Sequence, residues 1–188
     1  MPSPDEASDL PRRRRRGKPS NSEMNQVAPE HPGEDQPILI AYDGSDQAKA
    51  AIALAGRNLR TPRGAMVVSV FEPLGAIPFW GVPVARVPAP FIQEAEDAAK
   101  KVSEEGAELA RKAGFEATPA VVQGSPIWEK IVEAARSEGA GIIVIGSHGR
   151  SGVRYAAMGS VATAVAHHAT VPVLIARAED GHPGDRAT

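Results

Sequence analysis

Gly146, Gly149, Gly159 and Ser160 are spaced as a site for a polyphosphate. Two residues separate the first pair of glycines, nine separate Gly149 from Gly159, and the apolar run GIIVI at 141–145 stands just before them. Such a stretch reads as strand, loop and helix. Glycine at the strand exit permits the positive φ of a sharp turn, and the second glycine removes a side chain where phosphates would approach. The Gly-Ser pair opens a helix whose free amides and positive dipole end face the loop. The Ser160 hydroxyl can cap that helix or donate to a phosphate oxygen. Arg150 and Arg154 lie in the spacer and add positive charge. Glycines that merely turn the chain after a strand are the plainer alternative, but a turn alone needs neither the long spacer nor the Gly-Ser helix entrance.

Asp43 is the second candidate. It follows the apolar run PILIAY at 37–42 and therefore leaves a strand as Gly146 does. If those two strands are neighbours, its carboxylate comes within reach of a nucleotide on the glycine loop, to accept from a ribose hydroxyl or help hold a metal. Within Asp43-Gly44-Ser45 it is otherwise a turn or helix-capping residue.

Groups for rapid catalysis are sparse. The P-loop pattern GxxxxGK[ST] is absent, as is the SGGxDS loop of ATP pyrophosphatases. Phosphoryl transfer needs an oriented nucleophile, a metal and cationic stabilisation of the transferring group, of which Arg150, Arg154 and Asp43 offer only part. His148, inside the glycine loop, is either a base or a loop residue facing solvent or phosphate; with no orienting acid beside it in the sequence, the second role is expected. His167 and His168 fall in the last turn of a helix, where partial positive charge suits the dipole. Adjacent helical residues point in different directions, which makes them poor metal ligands. The chain has no cysteine, which excludes disulfides, thiolate nucleophiles and Cys-ligated zinc and fits a cytoplasmic location.

The elements that must position these residues alternate regularly. Apolar strand runs at 37–42, 65–71, 117–123, 141–145 and 171–176 are separated by helical patterns at 46–59, 91–113, 126–138 and 160–169. Ser45 is the expected cap of the first helix, and Ser125 with Pro126 the expected start of the third. The long second helix places Ile92, Ala95, Ala99, Val102, Leu109 and Ala113 on one face, and Gly114 ends it. Alternation of this kind predicts an α/β fold, a single-domain open parallel sheet with helices on both faces, because parallel neighbours need crossover connections. Ligands of such sheets bind beyond the carboxyl ends of the strands.

Composition sets the outer bounds. With 188 residues, 42% of them hydrophobic, and a net charge of -2, the chain is expected to form one soluble domain with no general affinity for nucleic acid. No apolar run approaches the roughly 20 residues that cross a bilayer, so no membrane partner is expected. Residues 1–36 are rich in Pro, Ser and charge and are expected to be a disordered tail. The basic run at 12–16 invites a nucleic-acid or lipid reading, but Asp5, Glu6, Asp9, Glu23, Glu30, Glu34 and Asp35 offset it. No hydrophobic region follows those arginines, as a twin-arginine export signal would require. Residues 178–188 are expected to be a flexible C-terminal tail, leaving 37–177 as the folded domain.

From residue 37 to residue 177 the chain resembles the universal stress protein family, in its ATP-binding branch. The family signature, Gly, two residues, Gly, nine residues, Gly, then Ser or Thr, is matched by Gly146, Gly149, Gly159 and Ser160, and Asp43 matches the ribose-side aspartate. The resemblance implies five parallel strands in the order 3-2-1-4-5, a Rossmann-like sheet. It implies that Val70 lies where backbone contacts hold adenine, that Ile145 lines the same pocket, and that Arg150 stands in the phosphate loop. It also implies ATP as ligand, with Mg2+ or Mn2+, and a homodimer joined through the strand that begins at Val171 and ends at Ala176, an apolar edge suited to twofold pairing. Additions to the family pattern are the N-terminal tail and the proline-rich segment at 72–90 with Phe79 and Trp80. Trp80, like Trp128, either serves a ligand or partner or packs on its own domain. The function expected is a nucleotide-dependent stress-response or signalling module that binds ATP rather than turning it over quickly. The alternatives are a slow ATPase or autokinase and a nucleotide-independent interaction scaffold.

Overall fold

A computed structural model describes residues 36–59, 61, 63–72, 89–149 and 158–177. The expectations for the N-terminal tail, Phe79, Trp80, Arg150, Arg154 and the C-terminal tail lie outside the described residues.

Strands and helices alternate throughout: β1 (Ile38–Ala41), α1 (Asp46–Asn58), β2 (Gly64–Phe71), α2 (Ala89–Lys112), β3 (Glu116–Gln123), α3 (Ile127–Ser137), β4 (Ile142–Gly146), α4 (Ser160–His168) and β5 (Val173–Ala176). The strands form one parallel sheet of order β3-β2-β1-β4-β5, as the resemblance implies. Strand order reverses beside β1, so β1 and β4 are neighbours whose carboxyl ends open at the same place, with Ala41 opposite Ile145.

Each face of the sheet carries its own core. Ile38, Ile40, Tyr42, Val67 and Val144 point to the α1/α2 face and meet Ala48, Ala51, Ala55, Ala107 and Ala110. Leu39, Ala41, Val68, Ile143 and Ile145 point to the α3/α4 face and meet Ile131, Val132, Ala135, Ala162 and Val165. Alternate residues of one strand thus enter opposite layers, which is why central strands of a parallel sheet read as unbroken apolar runs.

Three local expectations change. In α2 the deepest residues are Ala99, Ser103, Gly106, Ala107 and Ala110, while Val102, Leu109 and Ala113 pack half-buried beside them. The Tyr42 ring and Val67 fill the space above Gly106, where a Cβ would stand 2.6 Å from Tyr42 Cδ1, so only small residues fit the line of contact. The buried Ser103 hydroxyl donates back to Lys100 O. In α3, Pro126 occupies the N-cap with extended φ and ψ (-74°, 152°), and the helix starts one residue later than expected. Ser125 does not cap it, because its hydroxyl donates to Glu72 Oε1 at 2.7 Å. Gly114 ends α2 as expected, with φ 100°.

Candidate functional site

The β1–α1 turn orients Asp43 through local bonds. Its Oδ1 accepts from Ser45 N at 3.0 Å, and Ser45 Oγ caps α1 by accepting from Ala48 N. Gly44 supplies the left-handed residue of the turn, φ 84°. Just upstream, Tyr42 N donates to Val68 O and the buried Ser69 hydroxyl donates to Tyr42 O, both fixing the end of β1 to β2. The other carboxylate oxygen reaches the glycine loop: a Cβ on Gly149 would stand 2.8 Å from Asp43 Oδ2. Asp43 and Gly149 are therefore in contact, although 106 positions of chain separate them.

Gly146 is required for a reason other than the one expected. Positive φ occurs among the described glycines at Gly44, Gly114, Gly124 and Gly139, and Gly146 is still in the ladder opposite Ala176. A Cβ at Gly146 would lie 2.7 Å from the Gln47 carbonyl carbon and 2.8 Å from Ala48 N. Close approach of the first turn of α1 to the end of β4 excludes any side chain there. Ser147 follows with its N–H donating to Ala176 O at 2.6 Å and its carbonyl accepting from Gly159 N at 2.8 Å, so the two ends of the spacer are held together.

Gly159, rather than Ser160, is the N-cap of α4, with Thr163 N bonding to its carbonyl, and no side chain caps the helix. A Cβ there would stand 3.1 Å from Ser147 O. The contrast with α1 matters: Ser45 satisfies an amide of α1 with its own side chain, whereas the N-cap of α4 is a glycine that makes no side-chain cap bond. A glycine cap against the loop after β4 leaves this end suited to an external anion, and the donor set fits a polyphosphate.

Val70, half-buried and opposite Val122, and Ile145, buried at 6% exposure, both belong to the α3/α4-side core near the carboxyl ends. The structure thus gathers Asp43, Gly146, Gly149, Gly159 and Ser160 around the β1 and β4 ends. Arg150 lies outside the described residues. Sequence reasoning passed over Ser147 and Gln47. Ser147 Oγ, on a residue 3% exposed, lies 3.1 Å from His148 Nδ1 and 3.4 Å from Gln47 Oε1. The available signal was position: Gln47 is the second residue of the helix that follows Asp43.

A charged clamp stands behind Asp43. The Tyr42 hydroxyl donates to Glu105 Oε1 at 2.8 Å, and Lys49 Nζ lies 3.3 Å from the same oxygen, tying β1, α1 and α2 together. Burial, then the Glu105 carboxylate, raises the Tyr42 phenol well above its ordinary range; the Tyr42 bond, then Lys49, holds Glu105 below the usual carboxylate value.

At the other end of the sheet a cavity of about 240 Å³ is lined by Val132, Arg136, Gly139, Ile143, Thr170 and Val171 among others. None of the signature residues lines it. Trp128 packs on its own domain, stacked on His168 with ring centroids 4.4 Å apart, so it does not stand over the glycine loop. His167 and His168 fall in the last turn of α4, as expected. Among the described residues no group of three or more His, Asp or Glu side chains could hold a metal ion, and no helix is long and apolar enough to cross a membrane.

Known proteins share this architecture. The profile of the universal stress protein family matches residues 36–177. A universal stress protein of Thermus aquaticus is 36% identical over 146 residues, covering 74% of this chain and 97% of that one. The solved structure of MJ0577 from Methanocaldococcus jannaschii superimposes with a TM-score of 0.64 at 24% identity, over 78% of this chain and 99% of that chain, a likeness of fold. A universal stress protein from Archaeoglobus fulgidus, solved in complex with dAMP, is 29% identical with a TM-score of 0.50, over 75% of this chain and 97% of that chain.

Proposed function

The chain belongs to the universal stress protein family, and we propose that it binds ATP at the carboxyl ends of β1 and β4 and acts through its nucleotide state. The observation that carries this reading is the contact of Asp43 with the glycine loop beside a helix whose N-cap is glycine. Asp43 Oδ2 takes the ribose side, and Gly149, Gly159 and the first amides of α4 take the phosphates, with Ser160 adding a hydroxyl and Arg150 a charge. Val70 and Ile145 border the adenine. A divalent cation, Mg2+ or Mn2+, enters with the nucleotide and neutralises phosphate charge. The dAMP complex of the Archaeoglobus fulgidus relative supports an adenine nucleotide as ligand class. Binding rather than turnover is the chemistry, since no described group besides Asp43 and His148 offers acid–base function at the loop.

A homodimer through β5 accompanies this reading. The two sheet edges differ: β3 carries Pro119 and exposed Glu116 and Thr118, devices that blunt an edge, whereas β5 presents half-buried Val173, Leu174 and Ile175.

Acid extraction of the purified protein with mass analysis, followed by calorimetric titration with ATP, ADP and AMP, tests the site. Bound or copurified ATP, lost in Gly149→Val, is the expected result. No nucleotide and no binding heat at several temperatures would overturn the proposal. Release of ADP at no more than stoichiometric level is expected; multiple turnovers abolished by Asp43→Ala would establish an ATPase instead.

A further inference from the structure

The cavity remote from the signature residues lies between the last turn of α3 and the segments that enter β1, β4 and β5. Its volume is about 240 Å³, and its floor is made of Val132, Ala135, Ala140 and Ile143, each at most 7% exposed. The backbone around that floor is already paired: Gly139 N donates to Arg136 O at 3.2 Å, Ala140 N to Ala135 O at 2.9 Å and Ile143 N to Pro172 O at 3.0 Å. Water on the floor therefore finds few partners, and an apolar group gains by displacing it. Above Gly139 the space is open, since a Cβ there would meet nothing within 4 Å. Polar side chains stand at the rim, where Gln36, Arg136 and Thr170 line the cavity and are exposed. Among the described residues Arg136 belongs to no ion pair, and no acidic side chain lines the cavity. Arg136 suits the carboxyl end of α3 through the helix dipole in any case, but the dipole does not account for an apolar recess beside it.

We propose that this cavity is a second binding site, for a small monocarboxylate whose apolar body of about six carbons lies on the floor while Arg136 pairs with the carboxylate. The volume, equal to that of about eight waters, sets the size of the ligand. A guanidinium offers a planar fork that matches a carboxylate, and the Thr170 hydroxyl and Gln36 amide add donors at the same rim. The apolar floor selects against a phosphate or a dicarboxylate, which would bring further charge onto a surface with nothing to pair it. This site uses neither Asp43 nor the glycine loop, so it is independent of the nucleotide reading, and the two ligands bind together.

Titration of the full chain with hexanoate, followed by amide chemical shifts, tests this. Saturable shifts at Gly139, Ala140 and Thr170 are expected, with a millimolar dissociation constant and with Gly146 and Gly149 unmoved. Affinity should rise about fourfold per methylene from butanoate to hexanoate, and hexanamide should bind about tenfold more weakly than hexanoate. Arg136→Gln, a change at an exposed side chain, should keep the wild-type melting temperature and the binding of hexanamide while erasing the preference for hexanoate. No saturable shift at Gly139 and Ala140 in the millimolar range, or a preference for hexanoate that survives in Arg136→Gln, overturns the proposal. Displacement of hexanoate by ATP would place it in the nucleotide cleft and overturn it as well. Glu34 and Asp35 precede Gln36 in the sequence, and hexanoate binding to Asp35→Asn but not to wild type would show the chain's own carboxylate in the ligand's place, which also overturns the proposal.

Discussion

The two faces of the sheet are finished to different degrees. On the α1/α2 face, large strand side chains press into helices made of alanine and glycine, and a Cβ at Gly106 or at Gly56 would meet its neighbours at 2.6 to 2.8 Å. On the α3/α4 face the helices are short, and Val70, Val122, Ile127 and Trp128 on one side and Met158, Val161, Val173 and Ile175 on the other remain half-buried. The first face has the tighter helix–sheet contacts, with Val102, Leu109 and Leu174 half-buried at its margin. The second leaves more apolar side chains half-buried, among them Val70 in the proposed adenine region and Val173 and Ile175 of β5 at the proposed dimer edge. Under the proposed function, the nucleotide and a second copy would cover part of that second layer.

The largest effect should come from the more tightly packed face. Gly106→Leu drives a side chain into the Tyr42 ring and Val67, and urea unfolding should show a loss of more than about 3 kcal/mol or no folded protein. A milder outcome would mean that α2 can move away from the sheet. Matched truncations compare the faces next: Ile40→Ala, at 0% exposure, should cost about 2–5 kcal/mol, while Ile175→Ala, half-buried at the edge, should cost on the order of 1 kcal/mol in dilute protein. If Ile175→Ala becomes costlier as protein concentration rises, the second face is covered by a second copy. Sedimentation of Val173→Lys sharpens this, with a shift to monomer expected. At the site, Gly149→Ala brings a methyl against Asp43 Oδ2 and should weaken ATP about tenfold with little loss of stability, read by calorimetry and melting.

The smallest effect belongs to the clamp over the first face. Tyr42→Phe removes the hydroxyl that holds Glu105, half of whose side chain is in water, and should cost at most about 1 kcal/mol at neutral pH. Because Glu105 titrates below its ordinary 4.5 in the folded state, its contribution is present above that value and lost as pH falls through the depressed one. The variant should therefore lose less stability than wild type below about pH 4.5, a difference measured by thermal unfolding across the acid range.

Much of this was legible in the chain because it depends on local pattern. Apolar runs separated by amphipathic stretches place the strands and helices, Ser45 marks the start of α1, and Gly114 marks the end of α2. The sites of error were those where two distant segments meet. Gly146 looks like a turn glycine until α1 is seen lying on it, and Ser125 looks like a cap until Glu72 takes its hydroxyl. The buried line of α2 was read from its largest apolar residues, but the space was already taken by Tyr42 and Val67. His148 lacked an orienting partner in the sequence, and the structure supplies Ser147 beside it with Gln47 behind.

Sequence by itself determined the α/β class, the succession of elements and the membership of the glycine loop, since periodicity, capping chemistry and glycine spacing act over a few residues. Tertiary structure decided which oxygen of Asp43 meets the loop, that Gly159 rather than Ser160 caps α4, and that Gln47 reaches the hydroxyl of Ser147. The Asp43 and Gln47 contacts join segments about a hundred residues apart. Only the packing of α1 and α4 against the ends of β1 and β4 sets them.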